Sequence, residues 1–456
     1  MNAAYKNILK VTTLFGGVQG LNILLNLLRT KFVAILLGPE GVGLNSIYNE
    51  TRELVHSTTN LGLDVSGVRG ISQAFEQYTI ADDTEKYYYW TKVCEQVTLL
   101  RSWVLLLSLF GMLTCIVLST PLSLFTFGDY THVWQFVILS PAVAFSTITC
   151  GEMAVMKGLR SIKSLAKVSV INVVFALITT IPIYYFLGID GVLPGLLAFT
   201  FATMLITLTF GFKEHPLSLA FSRKKLTAGK LMLGIGTVVV VTEGISHLVI
   251  LGIQSYLNNV ASLHAVGLYN AAYTMTMTYA GMVFASMATD YFPRLTGVIR
   301  DKVLRTETVI RQIEVNIMLT VPMLMLFIIL LPYLVPLLLD SKFNDIVPMT
   351  QIVAVGLFFR AIMLPNNYMP LAAGDSRVYF LLNLVGALDM IAVIPGYMYG
   401  GLIGAGIALT LQNLLDMLLS LVVARIIYKT RFSRRVIIGT VGGTLLLLST
   451  YFIVSI

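Results

Sequence analysis

Residues 11–52 read VTTLFGGVQGLNILLNLLRTKFVAILLGPEGVGLNSIYNETR. From Val11 to Leu37 the run is apolar and long enough to cross a bilayer, which takes about 20 residues. Gly38-Pro39-Glu40-Gly41-Val42-Gly43 interrupts it with turn formers, and a second apolar run starts at Leu44. Lys6 and Lys10 precede the first run, and no small-residue cleavage site follows it. It therefore reads as a retained first span and not as a removed signal peptide. This hairpin carries Arg29, Lys31 and Arg52 at membrane depth, where an isolated charge is costly and usually serves a function.

The rest of the chain repeats the pattern. Apolar runs fall at 11–37, 44–74, 97–119, 132–156, 168–187, 192–212, 231–255, 265–290, 313–339, 347–370, 379–399, 402–424 and 436–456. Hydrophobic residues make up 56% of the 456 and charged residues only 12%, too few to cover a water-facing surface. The expected fold is an all-α polytopic membrane protein of twelve or thirteen transmembrane helices. They form two six-helix bundles related by a pseudo-two-fold along the membrane normal, with one extra C-terminal helix. The expected divisions are 1–212 for the N-terminal bundle, 213–230 for a cytoplasmic basic linker, 231–426 for the C-terminal bundle, and 427–456 for a basic loop and the extra helix. The repeat rests on Gly41-Val42-Gly43-Leu44 through Tyr48, echoed by Ala265-Val266-Gly267-Leu268 through Tyr273.

The net charge of +8 does not point to nucleic acid, because its distribution is one-sided. Basic clusters at Lys6/Lys10, Lys157–Lys167, Lys213–Lys230, Arg294–Arg311 and Arg425–Arg435 lie on one face, whereas the opposite loops carry Lys342 alone. The positive-inside rule then puts the N-terminus of this multi-pass chain in the cytoplasm. The outside loops are short, so no soluble domain hangs on either face. Cys94, Cys115 and Cys150 form no CxxC pair, and neither a disulfide nor a metal site is expected. No GxxxxGK[ST], GxSxG or HExxH motif is present. The chain therefore reads as a cofactor-free transporter driven by a gradient, not as an ATP-driven pump or an enzyme.

Arg29 lies nine residues before Gly38 and Arg52 nine after Gly43, so both sit roughly 13 Å from the turn, with Lys31 about 3 Å nearer to it. Two guanidinium forks and an ammonium at one depth suit a diphosphate. The plainer alternative is that Arg52 pairs with Glu50 or Glu53 and that Lys31 snorkels to the surface. Arg360, mid-span with no acid nearby on its own helix, joins the candidate diphosphate site. Candidate ion-coupling residues are Glu243 with His247 at i+4, and Asp389 and Asp416 in the second half. Arg101 and Arg69 lie near span ends and are expected to snorkel; Glu152 is expected at the interface.

Several short motifs, in order, resemble the Wzx-type polysaccharide (O-antigen) flippases of the multidrug/oligosaccharidyl-lipid/polysaccharide exporter superfamily. They are Lys31 to Gly43; Leu63-Asp64-Val65-Ser66-Gly67-Val68; Met156-Lys157-Gly158-Leu159-Arg160; Tyr291-Phe292-Pro293-Arg294-Leu295; and Ser341-Lys342-Phe343. The resemblance implies two bundles around a cationic cavity. The implied substrate is an undecaprenyl-diphosphate-linked oligosaccharide, flipped across the bilayer by alternating access for O-antigen, capsule or exopolysaccharide assembly. A coupled proton or sodium ion and a neighbouring glycan polymerase machinery are the implied partners. In the related lipid II flippases basic residues on spans 1 and 2 hold the diphosphate, and Arg29, Lys31 and Arg52 occupy comparable places here. The alternatives are a drug or cation antiporter of the same superfamily, which favours an acidic cavity, and a membrane-embedded glycan polymerase, which needs a larger outside loop.

Overall fold

The computed structural model describes residues 3–220, 237–278, 284 and 291–455. Most of the expected basic linker, and most of the last part of the expected span 265–290, lie outside the described residues. Among the described residues the chain is built of helices and connecting turns, with no strand.

The helices run α1 Ala3–Thr59, α2 Leu63–Ile80, α3 Lys86–Val117, α4 Ser119–Phe127, α5 Val133–Gly158, α6 Ile162–Leu187 and α7 Val192–Glu214. There follow α8 Thr237–Val260, α9 Leu263–Tyr273, α10 Lys302–Leu338, α11 Val347–Ala373, α12 Ser376–Asp389, α13 Val393–Ile426 and α14 Arg434–Ser455. Eight stretches among the described residues are long and apolar enough to cross a membrane. Two of them, 162–214 and 376–426, have length for two crossings each. The protein is a multi-pass membrane protein, and the expected extra C-terminal helix is present as α14, long and apolar enough to cross a membrane.

The expected turns are present in condensed form. The first hairpin is a single break inside α1 at Gly38, φ 63° and ψ −175°. Glycine alone reaches that region without strain, and Pro39, which has no N–H to leave unsatisfied, restarts the helix. Gly188 (φ 57°) separates α6 from α7, and Gly400–Gly401 (φ 56° at Gly401) breaks α13 at the expected short loop. One span boundary is corrected. The run 44–74 is not one helix: the chain leaves helical geometry at Leu61 and Gly62, both at positive φ, and restarts as α2. The expected outside loop 120–131 folds largely as α4, closed by Gly128 at φ 75°.

The chain divides into two compact units, residues 1–37 with 44–251, and residues 38–43 with 252–456. The division passes through α8, so the first part of that helix belongs to the first unit. That unit buries one cluster around Tyr48, Phe136, Leu139 and Tyr184, and another around Leu100, Val97, Leu63 and Val155. In the second unit α11 is central and packs against α10, α13 and α14. Its Phe358, Ala361 and Ile362 are fully buried. The turn 38–43 lies against α9: a Cβ on Gly267 would meet the Pro39 carbonyl oxygen at 1.8 Å. Gly43 and Gly267, the glycines of the repeated motif, thus meet each other.

Candidate functional site

The first unit gathers the membrane-depth charges. On the second arm of α1, Arg52 is 8% exposed; both Nη atoms of its guanidinium are engaged, and its buried Nε has no partner among the described residues. Nη1 donates to Ser146 Oγ of α5. Nη2 donates to Asn49 Oδ1 at 2.9 Å and pairs with Glu53. Of the two readings of Arg52, pairing with a carboxylate is the one this geometry contains. Arg29 on the first arm is different. Its guanidinium lies over the Phe199 ring at 4.5 Å, has no carboxylate partner among the described residues, and shares the electrostatic field of Arg52. Lys31 is half-buried and is not drawn into this pairing.

Beside this pair is a cavity of about 130 Å³ lined by Glu53, His56, Asn60, Asp64, Glu243 and His247, among others. The break at Leu61–Gly62 forms part of its wall and carries Asn60 and Asp64 to it. Glu243 and His247 both line the cavity, but the histidine's bonded partner is on another helix. His247 Nδ1 meets Glu50 Oε1 at 2.6 Å. A carboxylate there accepts a hydrogen bond from Nδ1–H and leaves Nε2 as the nitrogen that can gain or lose a proton. His56 Nδ1 lies 3.0 Å from Thr147 Oγ1, and that hydroxyl spends its only proton on the Val143 carbonyl. The hydroxyl therefore accepts from His56, which fixes the Nδ1–H tautomer. Glu50, Glu53, Asp64 and Glu243 thus surround two histidines at membrane depth, an arrangement able to hold, exchange or relay a proton or bind a cation.

Sequence reasoning missed His56, Ser146, Thr147 and Cys150 at this place. His56 was within reach, since it stands one turn beyond Arg52 on the same helix face. The α5 residues carried no signal, because only the packing of α5 on α1 brings them in.

Arg101 and Glu152 correct their sequence reading. Neither snorkels; they are 3% and 4% exposed. Arg101 Nε and Nη2 meet the two Glu152 oxygens at 2.7 and 2.9 Å. The same guanidinium donates to the carbonyls of Pro216, His215 and Gly211. This is a structural clasp joining α3, α5 and the end of α7.

The remaining candidates lie in the second unit. Arg360 donates from Nη1 to Met277 Sδ at 3.2 Å, and its Nε has no partner among the described residues. Asp416 is within electrostatic range of both Asp389 and Arg360. A Cβ on Gly386 would meet the Asp416 carboxylate at 3.4 Å, and Gln412 Nε2 donates to the Gly386 carbonyl at 2.9 Å.

Comparison with solved structures identifies the fold. An inward-facing multidrug resistance MATE family transporter of the MOP superfamily matches with a TM-score of 0.66 at 15% identity, covering 94% of this chain and 95% of that one. The lipid II flippase MurJ in an inward closed conformation matches with a TM-score of 0.64 at 16% identity, covering 98% of each chain. A MOP superfamily transporter from Pyrococcus furiosus, described by a reversed polarity of its binding pocket, matches with a TM-score of 0.57 at 14% identity over 96% of this chain and 94% of that one. No curated protein matches by sequence. The family model described as polysaccharide biosynthesis protein matches residues 70–348, more than half of the chain. With the fold in place and this match across more than half of its length, the chain belongs to the polysaccharide biosynthesis protein family.

Proposed function

We propose that the chain is a flippase of the Wzx type. It carries an undecaprenyl-diphosphate-linked oligosaccharide from the cytoplasmic to the periplasmic leaflet of a bacterial inner membrane, N-terminus in the cytoplasm. The observation that carries this reading is the pair of guanidiniums on the two arms of α1. Arg29 rests on an aromatic face without a carboxylate partner among the described residues, and Arg52 is held by the exchangeable Glu53. A diphosphate in hydrocarbon is prohibitively costly without such partners, and guanidinium forks match its geometry. The family match and the likeness to a lipid II flippase support the same reading.

The pairing of Arg52 suggests how binding is coupled. A diphosphate that takes Arg52 displaces Glu53, which already lines the cavity of His56, Asp64, Glu243 and His247. A carboxylate stripped of its cation there takes up a proton more readily. Substrate capture and proton uptake become one event. Lys31 and Arg360 belong to the proposed path of the diphosphate, and Asp389 with Asp416 to a second ion site.

The test is translocation of a fluorescent polyprenyl-diphosphate glycan in liposomes. Wild type moves the lipid; Arg29→Ala and Arg52→Ala fold but lose most activity. Glu53→Gln keeps binding and loses its dependence on the proton gradient. If both arginine variants match wild type, the site assignment falls. The three carboxylates of the cavity, with Glu50 on His247, favour a second reading, a cation or drug antiporter. Export of an organic cation against a proton gradient, with no lipid movement, would establish that instead.

A further inference from the structure

A groove in the second unit belongs to no part of the proposed transport path. It runs between α13 and α14, with Phe359 of α11 among its lining residues, and encloses about 1130 Å³. It exists because α14 docks elsewhere. Gly443 sets α14 close against Phe358 and Val321, so the helix packs on α11 and α10 and stands off α13. Leu418, Val422, Ile437, Val441 and Leu445 line the gap and are exposed.

One end of this apolar groove is cationic. Lys302, Arg425, Lys429 and Arg431 line it, and no acidic residue does. All four are exposed, and none has a carboxylate within ion-pair distance among the described residues. Other exposed arginines of the chain do pair, as Arg311 does with Glu307 and Arg160 with Glu76.

The loop that presents two of these cations is built, not slack. Lys429 is held at φ 52°, a region that disfavours an L side chain and persists only where surroundings enforce it. Here they do. Tyr428 Oη donates to Asp375 Oδ2 at 2.6 Å, and Arg305 Nη2 donates to the Tyr428 carbonyl at 2.6 Å. Thr430 is fully buried, and its N–H donates to the Ala424 carbonyl at 3.0 Å. The chain thus turns outward at Lys429 and holds Lys429 and Arg431 over the groove end.

We propose that this groove is a binding site for an anionic glycerophospholipid. The phosphate headgroup sits among Lys302, Arg425, Lys429 and Arg431, and the acyl chains lie between α13 and α14. A soluble phosphate compound has no use for the long exposed apolar walls, and a zwitterionic lipid leaves the four cations uncompensated.

The experiment is native mass spectrometry of the full chain in mild detergent. Phosphatidylglycerol and phosphatidylcholine of identical acyl chains compete in equal amounts. Wild type retains one phosphatidylglycerol with a preference of about tenfold or more, as expected for several cations near one headgroup. The variant Arg425→Gln/Lys429→Gln/Arg431→Gln binds both lipids alike. Thr440→Trp, which fills the groove and leaves the cations in place, loses the bound lipid altogether. Thermal unfolding without added lipid reports whether each variant is folded. Equal retention of the two lipids by wild type overturns the proposal, as does an unchanged preference in the triple variant. Displacement of the phosphatidylglycerol by equimolar undecaprenyl phosphate also overturns it, by giving the groove to the carrier lipid.

Discussion

Arg101→Met is the sharpest test of how the first unit is held together. The wild-type guanidinium gives two bonds to Glu152 and reaches three backbone carbonyls, with both side chains almost wholly out of water. Removing it leaves a buried carboxylate with no counter-charge, and breaking a buried pair in that way costs about 3–5 kcal/mol. The pair is asymmetric. Glu152→Gln keeps an oxygen for Arg101 and leaves the carbonyl bonds intact, so it costs less. Arg101→Met/Glu152→Leu removes the orphaned charge, and only the carbonyls at 211, 215 and 216 lose a donor. The double variant is therefore more stable than Arg101→Met alone, a coupling that a double-mutant cycle reads directly. Trp90, Trp103 and Trp134 all lie in this unit, and the Trp90 ring is 6.2 Å from His215, so tryptophan fluorescence during thermal unfolding reports on it. The expected fall in Tm for Arg101→Met is on the order of 10 °C. An unchanged transition in Arg101→Met, or a double variant less stable than that single one, would refute the clasp.

Three further outcomes follow from the same geometry. Gly211→Ala places a Cβ 2.2 Å from Glu152 Oε2, so it lowers the same fluorescence transition by about 1–3 kcal/mol and gains little extra loss when combined with Glu152→Leu. Gly43→Ala and Gly267→Ala each drive a Cβ into backbone, at 2.2 Å from Leu263 O and 1.8 Å from Pro39 O; each destabilises, and their effects fall short of additive because they strain one contact. Burial, ahead of the nearby Arg101 charge, pushes the His215 pKa below its usual value. The unfolded state therefore binds the proton first, and stability is lost as pH falls below about 6.5. His215→Gln should flatten that acid limb in a pH series of unfolding midpoints.

The helices were legible because each is long, apolar and closed by residues with a fixed conformational meaning. Gly38-Pro39, Gly188 and Gly400-Gly401 mark their breaks in the sequence as plainly as in the structure. The geometry of the break at Leu61–Gly62 was not legible. The polar run His56-Ser57-Thr58-Thr59-Asn60 and Gly62 do mark the place, but a leucine at positive φ carries no sequence signal of its own, because only tertiary packing enforces it. Likewise the α4 segment 119–127 is apolar and short, a length at which helix and loop read alike.

The site shows a sharper limit. Spacing along one helix tells which residues share a face, and on that basis Glu243 and His247 were put together; both do reach one cavity. Spacing does not tell which neighbour completes the bond. His247 takes Glu50 from α1, and His56 takes Thr147 from α5. Depth counting placed Arg29 and Arg52 together, because rise per residue is a property of every helix. Yet the two arginines differ in the one respect that matters for anion capture: Arg52 has a carboxylate within reach on its own helix and Arg29 has an aromatic face from α7. A guanidinium over a ring keeps its hydrogen-bonding edges for a ligand, whereas one paired with a carboxylate must first give that carboxylate up. On the proposed reading, Arg29 is the group that meets an arriving anion directly, and Arg52 the one whose engagement with it changes the charge state of the cavity beside it.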